Sequence, residues 1–153
     1  MCAPMETGIC AMCVESAWYT IRRTSNILTF PMSYFLAHKD AIQENDYFRK
    51  EVFTSEKAQI TYMKLLPNED AGESVHAYAD HIVLCTQGTG KVVVDGYTQD
   101  FREGDLVAIE HGVKHQILNG SYGNMILVSI YTPEQYPRGT AHRTRAEEEA
   151  SRS

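Results

Sequence analysis

The chain has 153 residues and a mass of 17.3 kDa, the size of one domain with a short appendage. Fourteen Lys+Arg against twenty Asp+Glu leave a net charge of −6, without the basic excess that phosphate backbones or anionic membranes select. Nine Tyr and five Phe exclude a disordered acidic tail, and the longest apolar runs, residues 82–85 and 125–128, fall far short of the ~20 residues of a membrane span. The expectation is a soluble globular protein with no nucleic-acid or membrane partner.

Three of the four cysteines, Cys2, Cys10 and Cys13, sit in the first thirteen residues. Cys10 and Cys13 have the CxxC spacing, but a structural zinc site needs a second pair and a redox motif needs a following βαβ pattern. The thiols read as incidental residues of a loose tail in a reducing compartment, so the chain is assigned to the cytoplasm. The stretch 16–30, with two Arg and no acid, faintly resembles a transit peptide, against which Glu6 and Glu15 stand upstream. Residues 1–31 are therefore taken as a flexible N-terminal extension.

From there the signals run in order. Residues 40–48 suit a short helix. Residues 58–66 form a β-branched and aromatic run ended by Pro67 and Asn68, and residues 81–86 a second apolar run ended by a Gly-rich turn. Residues 91–94 and 97–101 flank Asp95-Gly96, a strong signal for a type I′ hairpin. Strands are expected again at 106–109, 115–118 and 124–131, separated by turns at 102–105 and 119–121. Thr144 with Glu147 has the form of a capping box, opening a short, charged C-terminal helix that reads as a solvated or partner-facing appendage. Short strands at intervals of about 8–12 residues, with Gly turns, predict an antiparallel sandwich or barrel over residues 32–137, with a polar tail or short helix over 138–153. The class is all-β.

Six histidines occur. His81 opens an apolar strand and shares a face with Val83 and Cys85; His115 opens another; His76 precedes His81 by five residues. Each alone could be a satisfied structural residue. Together, on separate strands of a rigid barrel, neutral imidazoles also suit a metal.

The segment Gly104-x5-Glu110-x-Gly112-x2-His115-x3-Asn119 resembles the second motif of the cupin superfamily, Gly-x5-Pro-x-Gly-x2-His-x3-Asn, with Glu110 in place of Pro. The first cupin motif is degenerate. Counting back from Gly88 puts His81 at its Glu, His76 at its second His and Ser74 at its first; a gapped alternative pairs His76 with Tyr78. Asp46–Lys50, Gly72–His76, Asp95-Gly96 and the ending 130–147 further resemble the small single-domain cupins labelled mannose-6-phosphate isomerase-like, over about residues 44–150. Such relatives usually carry Glu at Ser74 and Gln at His81, so this chain exchanges one potential ligand for another.

The resemblance implies a cupin jelly-roll barrel with one divalent metal at its centre, and a homodimer; taking His76, His81 and His115 as the ligands leaves Fe, Zn, Mn or Ni open, with positions for a small-molecule ligand. Ser74 or Tyr78 would add a weak fourth oxygen or a hydrogen bond to one of the ligands. His111 is read as a surface residue, His38 and His142 as outside the barrel, Cys85 as small and apolar, and Glu110 and Asp80 as solvated. Three readings of function stay open: a metal-binding cupin for a small polar, sugar-related ligand; an Fe(II)-dependent three-histidine dioxygenase; and a non-catalytic ligand-binding cupin. Against a phosphorylated ligand, only Lys64, Lys91, Arg102 and Lys114 lie near the barrel strands.

Overall fold

The computed structural model describes residues 34–152. The extension expected over residues 1–31, with Cys2, Cys10 and Cys13, lies outside the described residues. A five-residue helix, α1 (Lys39–Gln43), is followed by β1 (Arg49–Thr54), β2 (Gln59–Leu65), β3 (Asp80–Gln87), β4 (Thr89–Val94) and β5 (Tyr97–Arg102). Then come β6 (Leu106–Ile109), β7 (His115–Asn119), β8 (Met125–Thr132), β9 (Ala141–His142) and the helix α2 (Arg145–Ser151). No described helix is long and apolar enough to cross a membrane.

The strands pair antiparallel in two sheets, β6-β3-β8-β2-β1-β9 and β5-β4-β7. Alternation along β3 buries His81, Val83 and Cys85, and along β7 buries His115, Ile117 and Asn119. Met63, Leu65, Val83, Cys85 and Leu127 of the larger sheet meet Val92, Phe101 and Ile117 of the smaller one in a shared core. At the Asp95-Gly96 hairpin both residues take positive φ, 48° and 84°, as a type I′ turn requires. Gly90 is needed for a different reason: a Cβ there would lie 1.9 Å from the Leu118 carbonyl oxygen across the β4–β7 pair.

Three features depart from the sequence expectation. The first helix stops at Gln43 instead of Phe48, because Asn45 folds back to donate from Nδ2 to the Tyr47 carbonyl at 2.8 Å and Phe48 turns into the core. Strand β1 was not anticipated, since Arg49, Lys50 and Glu51 hide its alternation behind charge. Helix α2 does open at Thr144, whose hydroxyl accepts from the Glu147 amide at 3.2 Å. It is docked on one face and solvated on the rest: Glu148, its one buried residue, is 3 % exposed and pairs with the equally buried Arg49 at 2.7 Å, and Arg145 reaches Asp70 at 2.7 Å.

Candidate metal centre

His81 and His115 face each other from opposite sheets, and His76 completes a triangle with them from the loop before β3. The loop is laced to the strand that carries His115. Backbone bonds join Ser74 and His115 in both directions, at 2.9 and 3.0 Å, and the Gly112 amide donates to the His76 carbonyl at 2.7 Å. Gly112 has a φ of 79°, so the motif glycine provides the left-handed turn that makes this contact. The three rings lie 5.1–5.2 Å apart between centroids, each histidine is 5 % exposed, and one nitrogen of each falls within 4.8 Å of the others.

Burial fixes their charge state. It draws the His76 pKa down to about 4, with His115 and Arg49 adding to the effect, and holds His81 well below the ordinary imidazole value. Burial likewise lowers His115. All three are neutral near pH 7, the form that binds metals.

One backbone oxygen sets the tautomer of His115. Its Nδ1 lies 2.9 Å from the Val113 carbonyl, which can only accept, so Nδ1 carries the proton and Nε2 turns a lone pair inward. That nitrogen is 3.0 Å from Nδ1 of His81, while Nε2 of His81 is buried without any hydrogen-bond partner. A buried ring nitrogen left unsatisfied beside two further imidazoles is what a metal would complete. The donor set fits a divalent ion of the Mn-to-Zn series.

The rings are braced from behind. Tyr131, the β8 register partner of His81, stacks on it at 4.3 Å with 12° between planes. The Tyr131 hydroxyl accepts from Nη1 of Arg49 at 2.8 Å, and Arg49 donates through Nε to Glu148 at 2.7 Å. Arg49, Tyr131 and the three histidines line an inner chamber of about 10 Å³, room for a single ion or water. Ser74 and His76 also belong to an outer cleft of about 450 Å³ whose walls include Tyr136, His142 and Arg152.

The other singled-out residues fall as follows. Ser74 lines the chamber, whereas Tyr78 is 87 % exposed and does not supply a fourth ligand. Cys85 is fully buried in the apolar core, where burial pushes its thiol up to about 11. Glu110 is exposed. Asp80 and His111 pair on the surface at 2.9 Å, and that hydrogen bond lowers the Asp80 carboxyl. The motif residue Asn119 is structural: its Nδ2 donates to the carbonyls of Leu65, Leu66 and Gly123 at 2.8–3.0 Å. His142 lies in β9 and reaches the cleft wall, where Nδ1 is buried without a partner. Sequence reasoning missed Arg49, Tyr131 and Glu148, because a partner 82 or 99 residues away leaves no local periodicity.

The cupin-domain family matches residues 61–131. Protein L612 of Acanthamoeba polyphaga mimivirus is 30 % identical over 111 residues, which cover 69 % of this chain and 69 % of that protein. YrkC of Bacillus subtilis (strain 168) is 27 % identical over 123 residues, covering 76 % of this chain and just under two thirds, 66 %, of YrkC. The crystal structure of BH2720 from Bacillus halodurans superposes with a TM-score of 0.75 at 27 % identity, over 78 % of this chain and 96 % of BH2720. The chain belongs to the cupin family.

Proposed function

We propose that this cupin holds one divalent transition metal, Fe, Zn, Mn or Ni, on His76, His81 and His115 and binds a small polar molecule that enters through the outer cleft. One observation carries the reading: three buried, neutral imidazoles converge within 4.8 Å, and one of them has an unpartnered ring nitrogen. When bound, such a metal supplies Lewis-acid polarisation of a ligand oxygen. The chain's own residues hold the geometry. The Val113 carbonyl fixes the His115 tautomer, Tyr131 fixes the plane of His81, and the small chamber limits water around the rings.

Resemblance to the small cupins labelled mannose-6-phosphate isomerase-like supports a sugar-related ligand. A second reading, an Fe(II)-dependent dioxygenase, is supported by the three-histidine set, which resembles that of thiol and diketone dioxygenases. Reconstitution with each of the four metals, followed by elemental analysis and assays of oxygen uptake and sugar isomerisation, separates the readings. Oxygen consumption dependent on an added ligand selects the dioxygenase, and aldose–ketose interconversion selects the isomerase. Tight metal without turnover selects a non-catalytic binding protein, and no metal uptake contradicts the proposal. A cytoplasmic location and a homodimer belong to the same proposal, supported by the cysteine usage and the family resemblance respectively.

A further inference from the structure

The outer cleft has a charge pattern of its own. Glu148 offers a single oxygen, Oε1, to two guanidinium groups: Nε of Arg49 at 2.7 Å and Nη2 of Arg152 at 3.1 Å. Arg49's further hydrogen bond goes to the hydroxyl of Tyr131, and its guanidinium lies 4.5 Å from the ring centre of Tyr136. Arg152, which lines the cleft, thus shares its one carboxylate partner with a second, buried guanidinium. Glu73, the carboxylate in the cleft wall, is paired with Lys114 at 3.0 Å and does not offset the surplus.

The hydrogen-bonding inventory points the same way. The hydroxyls of Thr140 and Ser151 line the cleft but donate to the carbonyls of Pro137 and Glu148, at 2.6 and 2.7 Å. Arg152 retains donors of its fork beyond the one given to Glu148, and His142 lines the same cleft. The wall opposite is held in place by fully buried Gln59. Its Oε1 accepts from the amides of Gln135 and Tyr136 at 3.2 and 2.9 Å, and its Nε2 donates to the Tyr136 carbonyl at 2.8 Å. A preformed cleft of about 450 Å³ is the size of a small-metabolite site.

The geometry points to an anion-binding subsite in this cleft, where Arg152, with His142 in the same wall, takes the carboxylate or phosphate of a small metabolite whose other end reaches the edge of the chamber at His76. The cation that barrel-strand composition did not offer comes instead from Arg152, the C-cap of α2. Placing the far end of the ligand rests on the metal reading proposed above; capture of the anion does not.

Calorimetric titration of the full chain, metal-free and zinc-loaded, with inorganic phosphate, mannose 6-phosphate and malonate tests the assignment, with mannose as the neutral control. The expected result is saturable binding of at least one anion in both metal states, weakened about tenfold by Arg152→Gln and several-fold by His142→Gln. Arg152 is 45 % exposed, so its variant is expected to keep the wild-type thermal unfolding curve. Tighter binding of the phosphates identifies a phosphorylated metabolite, and tighter binding of malonate a carboxylate. Anions that bind no better than mannose, or an affinity unchanged in Arg152→Gln, overturn the assignment. A chain that takes up no zinc but binds the anions loses the metal reading and keeps this one.

Discussion

At the scale of single residues, three imidazoles are kept neutral by burial and turned toward one another by groups that are not ligands. Removing a ligand removes a bond: His115→Ala is expected to lower metal affinity more than about 100-fold, beyond the loss typical when only an outer hydrogen-bond partner of a ligand is removed. Equilibrium dialysis against a metal indicator measures it, and an affinity within tenfold of wild type would remove His115 from the ligand set. Proton linkage gives a second expectation. Between pH 6.5, the ordinary imidazole pKa, and about 4, the value of buried His76, the unfolded chain takes up protons that the folded chain does not. Stability of the metal-free protein is therefore expected to fall as pH drops through that window, with His81 and His115 shifting the same way. Urea unfolding at pH 7 and pH 4.5 checks the sign; equal midpoints would contradict neutral, buried imidazoles.

At the scale of elements, β1 and α2 brace the chamber through a pair of residues that neither element advertises. Truncating Glu148 to Ala leaves Arg49 buried without its counter-charge, and a loss of roughly 3–5 kcal/mol is expected. The double variant Arg49→Met/Glu148→Leu removes both charges and is expected to recover most of that stability, measured by chemical denaturation. A double variant as unstable as the single one would mean that packing, not the buried charge, holds α2. Gly90 is an independent check on the sheet pairing. An alanine Cβ would strike the Leu118 carbonyl oxygen at 1.9 Å, so Gly90→Ala is expected to cost about 3 kcal/mol or more, and a stability unchanged in unfolding experiments would contradict that approach. Strands β2 to β8 were legible because alternation and Gly turns are local signals. The charged run Arg49–Glu51 and the two-residue strand at His142 were not, because each acquires its face only when β1 pairs with β2 and β9.

At the scale of the whole molecule, the cupin barrel was legible from one nearly intact motif. Gly112 and Asn119, two of its residues, make the turn and the loop ties that the spacing demands. The sequence also singled out His76, His81 and His115, and the fold brings their nitrogens together; that Tyr78 points away could not be read from a degenerate first motif. The cleft was illegible for a reason of topology, since its walls come from segments 73–76, 135–142 and 151–152, which are brought together only by sheet closure and the docking of α2. Among the described strands, β6 and β5 form sheet edges that leave Leu106 and Tyr97 exposed, surfaces that the proposed homodimer would cover. Sedimentation equilibrium is expected to give twice the chain mass of 17.3 kDa, and a monomer would remove the dimer.

The central claim is a metal held by three histidines. Elemental analysis of the purified chain, beside a His76/His81/His115→Ala triple variant that has been shown to fold, tests it most directly. The account predicts about one transition metal per wild-type chain and none in the variant. A wild-type protein that stays metal-free after exposure to iron, zinc, manganese and nickel, or a triple variant that retains the metal, would contradict it.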